Sequence, residues 1–191
     1  DNLWDGMVAI IIQNPDILYF FGKITVYPSF DHISRDLIYH FLWKHFGDKE
    51  ELVRPWPDQS VMPDSTPELM DLILNKEEVI EDYKILRSSV RMRGTNVPPN
   101  ISAYVAITQN MVMFGTAVNR LMHNIEDSAI LIPFDEIYQE KKHRHVGAYL
   151  RFKRRKRQPE MNDEMERTLV ERWLAKRRRQ IKKLQKERFA K

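Results

Sequence analysis

Apolar residues Leu3, Trp4, Met7, Val8, Ile11 and Ile12 recur at three- and four-residue spacing, which places them on one face of a helix. Asn14-Pro15-Asp16 ends that helix, because Pro15 has no N–H and disfavours a helical residue before it. Residues 17–27, ILYFFGKITVY, are aromatic and β-branched and read as a buried strand, in which Gly22 marks a bulge or a close backbone approach. Ser29 or Asp31 can cap the next helix, where Ile33, Leu37, Ile38, Phe41, Leu42, His45 and Phe46 follow the 3.6-residue period until Gly47. Helix, strand, helix is the opening of an α/β layer.

Four prolines, Pro55, Pro57, Pro63 and Pro67, make residues 54–67 a surface connection rather than part of the sheet. Helical periodicity returns over 68–74 and 78–91, the second with Val79, Ile80, Tyr83, Ile85 and Leu86 inward, and Pro98-Pro99 opens a short helix through Ile101, Tyr104, Val105 and Ile107. Residues 111–119 and 128–134 read as two more strands joined by a polar turn, and 135–142 as helical. The fold class expected is therefore α/β, a sheet with flanking helices.

After Arg144 the character changes. Met161, Met165, Leu169, Trp173, Ile181 and Leu184 fall on a helical repeat among many charges, a long basic amphipathic helix. Residues 141–191 hold 20 of the 31 Lys and Arg but only 6 of the 27 Asp and Glu, so a net +14 tail follows a body of net −10. Such a block binds nucleic acid, anionic lipid or an acidic protein, and charge alone does not choose. The chain has no cysteine, which removes disulfides, thiolate metal sites and a thiol nucleophile. Its 191 residues suffice for one domain, and no apolar run approaches the roughly 18 residues of a spanning helix. Asp1 is not an initiator, and residues 2–12 already read as the middle of a packed element, so further residues are expected upstream.

Few motifs carry chemistry. His32-x-x-x-Asp36 and His123-x-x-x-Asp127 have the spacing of a histidine base beside a carboxylate, but Leu37 and Ser128 follow where acyltransferases place Gly, and surface and capping roles are the better reading. His143 and His145 are flanked by Lys141, Lys142 and Arg144, which oppose a bound cation, so no metal is expected. No phosphate-cradling glycine loop, dinucleotide fingerprint or G-x-S-x-G elbow is present.

Three stretches together resemble the hemolysin-like acyltransferases, a bacterial branch of the GNAT superfamily that includes N-acyltransferases of ornithine- and glycine-lipid synthesis. LWDGM at 3–7 with NPDILYFFGKITVYP at 14–28 is similar to that family's LW-x-G helix and YLFG-type strand. NVPPNISAYVAITQNMVMFGTAVN at 96–119 resembles its PPL-x-x-x-Y segment and pocket strand, and NIEDSAILIPFDEIYQEKKHRH at 124–145 its closing strand and helix. Two features depart from the pattern. The donor-binding strand and loop that precede the LW-x-G helix are not seen before Leu3, and Glu126-Asp127 stands where paired glutamates are usual.

The resemblance implies a GNAT-like mixed sheet, incomplete at its N-terminus, over residues 1–145, with 146–191 as the basic tail. It implies attack by an amino acid's amine on a thioester, the donor being acyl carrier protein or, second, coenzyme A, with no bound cofactor. Glu126, in a turn, is the carboxylate expected to take the proton; Asn96, Tyr104, Phe114 and Asn119 are expected to line the substrate pocket. Arg151, Lys153, Arg154, Arg155, Lys156 and Arg157 are expected to dock an anionic membrane or the acidic carrier, at a cytoplasmic or peripheral inner-membrane location. The alternative is a non-enzymatic binding module whose basic tail binds RNA or an anionic surface.

Overall fold

The computed structural model describes residues 2–154 and 161–189, which form two units. One is built from Tyr19–Glu136, the other from the segments before and after it.

In the first unit, three strands, β1 (Tyr19–Val26), β2 (Val112–Asn119) and β3 (Ile125–Pro133), pair in the order β1-β3-β2, both pairs antiparallel. The expected α/β class with flanking helices is what the chain forms. Strand alternation sends Glu126, Ser128, Ile130 and Ile132 of β3 to one face and Asp127, Ala129 and Leu131 to the other. Four helices belong to this unit, α2 (His32–Phe46), α3 (Pro67–Ile73), α4 (Val79–Met92) and α5 (Pro99–Val105). Asp31 caps α2, its Oδ1 accepting from the Ser34 N–H at 2.8 Å. Arg93 also donates to that carboxylate and, with the capping bond, holds its pKa well below the usual range. Leu37, Ile38, Phe41 and Leu42 of α2 join Ile24, Ile130, Leu86 and Val90 in the core.

The expected elements shift at three places. The third strand begins at Ile125 rather than 128, because the reversal after β2 is completed earlier, by a 3-10 turn at Arg120–Met122 and left-handed backbone at His123 and Asn124 (φ 57° and 58°). Glu126 is thus on a strand and not in a turn. The proline-rich connection is not separate from the sheet: Val61 N–H donates to Thr116 C=O at 3.0 Å and Val118 N–H to Gln59 C=O at 2.8 Å, so this segment pairs along β2. Proline bars only its own N–H from a ladder, and Gln59 to Val61 lie between Pro57 and Pro63.

The bulge also sits elsewhere. The register of β1 on β3 is continuous through Gly22, whereas that of β2 breaks between Met113 and Thr116, where Gly115 takes φ 96°. Gly22 is instead a close approach: a Cβ there would lie 2.7 Å from the Tyr104 hydroxyl oxygen of α5.

Among the described residues, the second unit contains three helices, α1 (Asn2–Gln13), α6 (Gln139–Arg154) and α7 (Asp163–Phe189). Val8 and Ile11 of α1 are buried, as the apolar spacing requires. Asp5 meets His145 Nδ1 at 2.7 Å, and the Gln13 amide donates to the Tyr149 hydroxyl at 3.3 Å, tying α1 to α6. Gly147 lets α7 come close, since a Cβ there would meet the Glu166 carboxylate. The basic C-terminal helix is present, but its buried stripe is Val170, Leu174, Arg177 and Ile181. Met165 and Leu184 are exposed, and Arg177 is buried with its guanidinium donating to Ile17 C=O at 2.8 Å. Among the described residues no helix is long and apolar enough to cross a membrane.

Candidate functional site

Arg35 and Tyr39 lie one turn apart on α2, and the i, i+4 spacing points both toward the same part of the sheet. There the Tyr39 hydroxyl donates to Glu126 Oε2 at 2.7 Å and Arg35 Nη1 to Glu126 Oε1 at 3.3 Å, so each carboxylate oxygen has its own donor. Arg35 also donates to Asp36 Oδ1 at 3.0 Å and Asp64 Oδ2 at 2.6 Å, and Asp36 Oδ2 accepts from the Ser65 N–H at 2.8 Å. The proline-rich connection is thereby fastened to α2 through a buried Asp36.

The electrostatics of the cluster follow from burial and charge. Burial, and then the bond to Glu126, push the Tyr39 phenol far above the ordinary tyrosine range, so it stays protonated and neutral. Burial would lower the Arg35 guanidinium, but its hydrogen bonds to Asp36 and Asp64 and the charge of Glu126 outweigh it and hold the group above its ordinary value. Tyr39 is consequently a donor to Glu126 and not a competing base.

Tyr39 also lines a cavity of about 790 Å³. Trp43 and Lys44 of α2 form one wall with it, Val53, Pro55, Val61 and Met62 of the connection a second, and Met113, Phe114 and Thr116 of β2 the third. The bulge in β2 shapes that last wall: Gly115, at positive φ, packs against Pro55, and a Cβ there would lie 3.2 Å from the Pro55 ring. Lys44 Nζ, at one edge, is held by Asp82 Oδ2 at 2.7 Å and by the carbonyls of Leu74 and Lys76. The space is mostly apolar with a few placed polar groups, the usual make-up of a small-molecule site.

Of the five residues expected at the site, Phe114 lines the cavity and Glu126 is bonded to a lining residue. Tyr104 packs over Gly22, Asn119 donates its side-chain amide to Asp127 at 3.2 Å, and Asn96 is exposed between α4 and α5; none of these three lines the cavity. Asp127, pointing to the other face of β3, accepts from Lys23 at 2.8 Å and Thr25 at 2.6 Å as well. Burial would raise its carboxyl, and these three hydrogen bonds more than reverse it, leaving the pKa below the ordinary value. Glu126 and Asp127 are therefore not a pair but opposite-facing groups with separate partners.

Among the expected docking residues, Arg151, Lys153 and Arg154 are exposed in the last turn of α6, with Arg151 bonded to Glu166 and Lys153 over the Tyr149 ring at 5.6 Å. Arg155, Lys156 and Arg157 lie outside the described residues. His143 and His145 diverge to Glu171 and Asp5, each at 2.7 Å. The H-x-x-x-D pairs do not bond internally either: His32 is 3.7 Å from Asp64, while Asp36 and Asp127 serve Arg35 and Lys23. Arg35 and Tyr39 were missed in the sequence, where their only signal is two polar-tipped side chains one turn apart on an apolar helix face.

No protein-family model matches the chain, and no solved structure matches it. Two curated proteins do. The chain is 44% identical over 150 residues to a glycine N(alpha)-acyltransferase of Bacteroides thetaiotaomicron, an alignment covering 78% of this chain and 44% of that protein. It is 40% identical over 151 residues to a protein of the same name from Phocaeicola vulgatus, covering 79% and 46% respectively. Over nearly four fifths of its length the chain is thus similar to bacterial proteins named as glycine N-acyltransferases, and it spans less than half the length of these relatives.

Proposed function

We propose that this chain is part of a hemolysin-like, GNAT-type N-acyltransferase that moves a fatty acyl group from a thioester, on acyl carrier protein or on coenzyme A, to the α-amine of glycine or another amino acid in aminolipid synthesis. The observation that carries the reading is the junction of an apolar cavity with a held carboxylate: Tyr39 lines the cavity and donates to Glu126. The similarity to two proteins named for this reaction supports it.

In this reading the acyl chain lies along Phe114, Met113 and Val61. The amine nitrogen bonds to the thioester carbonyl carbon, the carbon–sulfur bond breaks, and the sulfur leaves as a thiol, taking the one proton that the amine has given up to Glu126. The amine must shed a proton, and Glu126 is the acceptor, reached through the Tyr39 hydroxyl, which gives its own proton to Glu126 as it takes one from the amine. A neutral phenol suits such a relay, because it has both a proton to give and a lone pair to receive one. Arg35 keeps Glu126 oriented, and Asp36 and Asp64 balance the Arg35 charge. The expected setting is the cytoplasmic side of the inner membrane, where a lipid product is released.

The test incubates the intact gene product with acyl carrier protein thioester, or acyl-coenzyme A, and a mixture of amino acids, and detects N-acylated products by mass spectrometry. N-acyl glycine or another N-acyl amino acid is expected. Its absence with both donors, or product that Glu126→Gln leaves unchanged, would overturn the assignment.

A further inference from the structure

We infer that the outward face of the C-terminal half of α7 docks on the surface of an anionic phospholipid bilayer. From Arg172 to Lys186 the sequence contains no acidic residue; the nearest are Glu171 and Glu187. Six exposed cations occupy the last part of this stretch: Lys176, Arg178, Arg179, Lys182, Lys183 and Lys186. At 3.6 residues per turn they share one arc of roughly 160°, and the buried Arg177 and Ile181 lie on the other side of the helix. Burial of the apolar stripe settles which way the charge points. The cations run about 15 Å along a straight helix, close enough together for a plane of phosphates to meet them all at once.

Charge complementarity selects an anion-rich partner, and two features favour a bilayer over nucleic acid. Between Lys176 and Lys186 the arc holds no aromatic residue on which a base could stack. The same three-helix unit does expose Phe152, between Arg151 and Lys153 at the end of α6, where a ring flanked by cations suits insertion among lipid headgroups. The cationic arc stands independently of the acyl-transfer reading; that reading only adds that the product would be a lipid.

Sedimentation of the intact gene product with phosphatidylcholine–phosphatidylglycerol vesicles, and with phosphatidylcholine alone, tests the inference without any turnover, so it can fail or succeed separately from the acyl-transfer assay. Binding to the anionic vesicles alone is expected, and its loss in about 1 M salt, where the screening length falls to about 3 Å. Each cation near an anionic surface contributes about fivefold to partitioning, so the triple variant Arg178→Gln, Lys182→Gln, Lys186→Gln binds about a hundredfold more weakly. Gln is a good helix former, and far-ultraviolet circular dichroism checks that α7 persists. Equal binding to both vesicles, binding that survives high salt, an unaffected triple variant, or binding to duplex RNA or DNA with none to vesicles would each overturn it.

Discussion

Replacing Tyr39 by Phe removes one oxygen and little volume, so it isolates the contact that joins the cavity to Glu126. Tyr39 is 4% exposed and its hydroxyl is 2.7 Å from Glu126 Oε2. A hydrogen bond to a charged acceptor contributes about 1.5–3 kcal/mol, and its loss leaves a part-buried carboxylate oxygen without that donor. Arg35 still serves the other oxygen, so the expected cost is about 2 kcal/mol, near the lower end of that range. At about 2–4 °C per kcal/mol for a chain of this size, the melting temperature falls by about 4–8 °C. Denaturant titration of Tyr39→Phe, Glu126→Gln and the double variant measures the coupling, expected at about 1–2 kcal/mol for directly bonded residues. In the acyl-transfer assay kcat falls by about a hundredfold or more, as for loss of a proton-transfer group, while KM for the acyl donor changes little. Stability and kcat both unchanged would refute the coupling. Lost stability with full kcat would leave Tyr39 as a structural strut and remove Glu126 from the proton path.

The remaining expectations address the walls and the supports of the site. Phe114→Ala opens the β2 wall of the cavity, so competition between acyl donors of different length shifts toward longer chains, at a stability cost of about 3 kcal/mol. Gly22→Ala pushes a Cβ to 2.7 Å from the Tyr104 hydroxyl and destabilises by about 1 kcal/mol; Tyr104→Phe, which removes that oxygen, restores most of the loss in the double variant. Asp82 is fully buried and accepts from Lys44, His45 and the Lys76 N–H; burial would raise its pKa, but these partners lower it below the ordinary 3.8. The stability this adds is complete above pH 3.8 and is lost as pH falls from there through the depressed folded value. Urea titrations across that range show a flatter acid branch for Asp82→Asn, which at neutral pH is less stable by about 3–5 kcal/mol.

The elements of this fold were legible where the chain's own chemistry sets them. Asp31 caps α2 because a carboxylate three residues ahead of Ser34 can reach its N–H, and the period of Leu37, Ile38, Phe41 and Leu42 needs only a helix to become a buried face. Of the five site residues the resemblance implies, Phe114 lines the cavity and Glu126 is bonded to a lining residue, while Asn96, Tyr104 and Asn119 lie elsewhere. The start of β3 was not legible, because Ile125-Glu126-Asp127 is two-thirds charged and lacks a strand's usual apolar alternation. Each carboxylate there is tolerated by partners distant in sequence, Arg35 and Tyr39 on one face, Lys23 and Thr25 on the other. Asp82 was hidden similarly: a charge in the buried stripe of α4 contradicts the apolar pattern until Lys44 and His45 arrive from α2.

Most helices and the cores of the three strands, the division between an acidic body and a basic tail, and the lack of a thiol in these 191 residues could be read from the sequence. These are local or additive properties: turn chemistry, apolar period and charge are all fixed by residues within a few positions of one another or by simple counting. Tertiary structure alone decided that Arg35, Tyr39 and Glu126 meet, since contacts across 87 and 91 residues depend on which face of a sheet a helix covers. It decided as well that the prolines fold back along β2 to wall the cavity. On α7 it chose which apolar stripe is buried, and with that choice it turned the cations outward, because a helix of mixed character has more than one face it can bury.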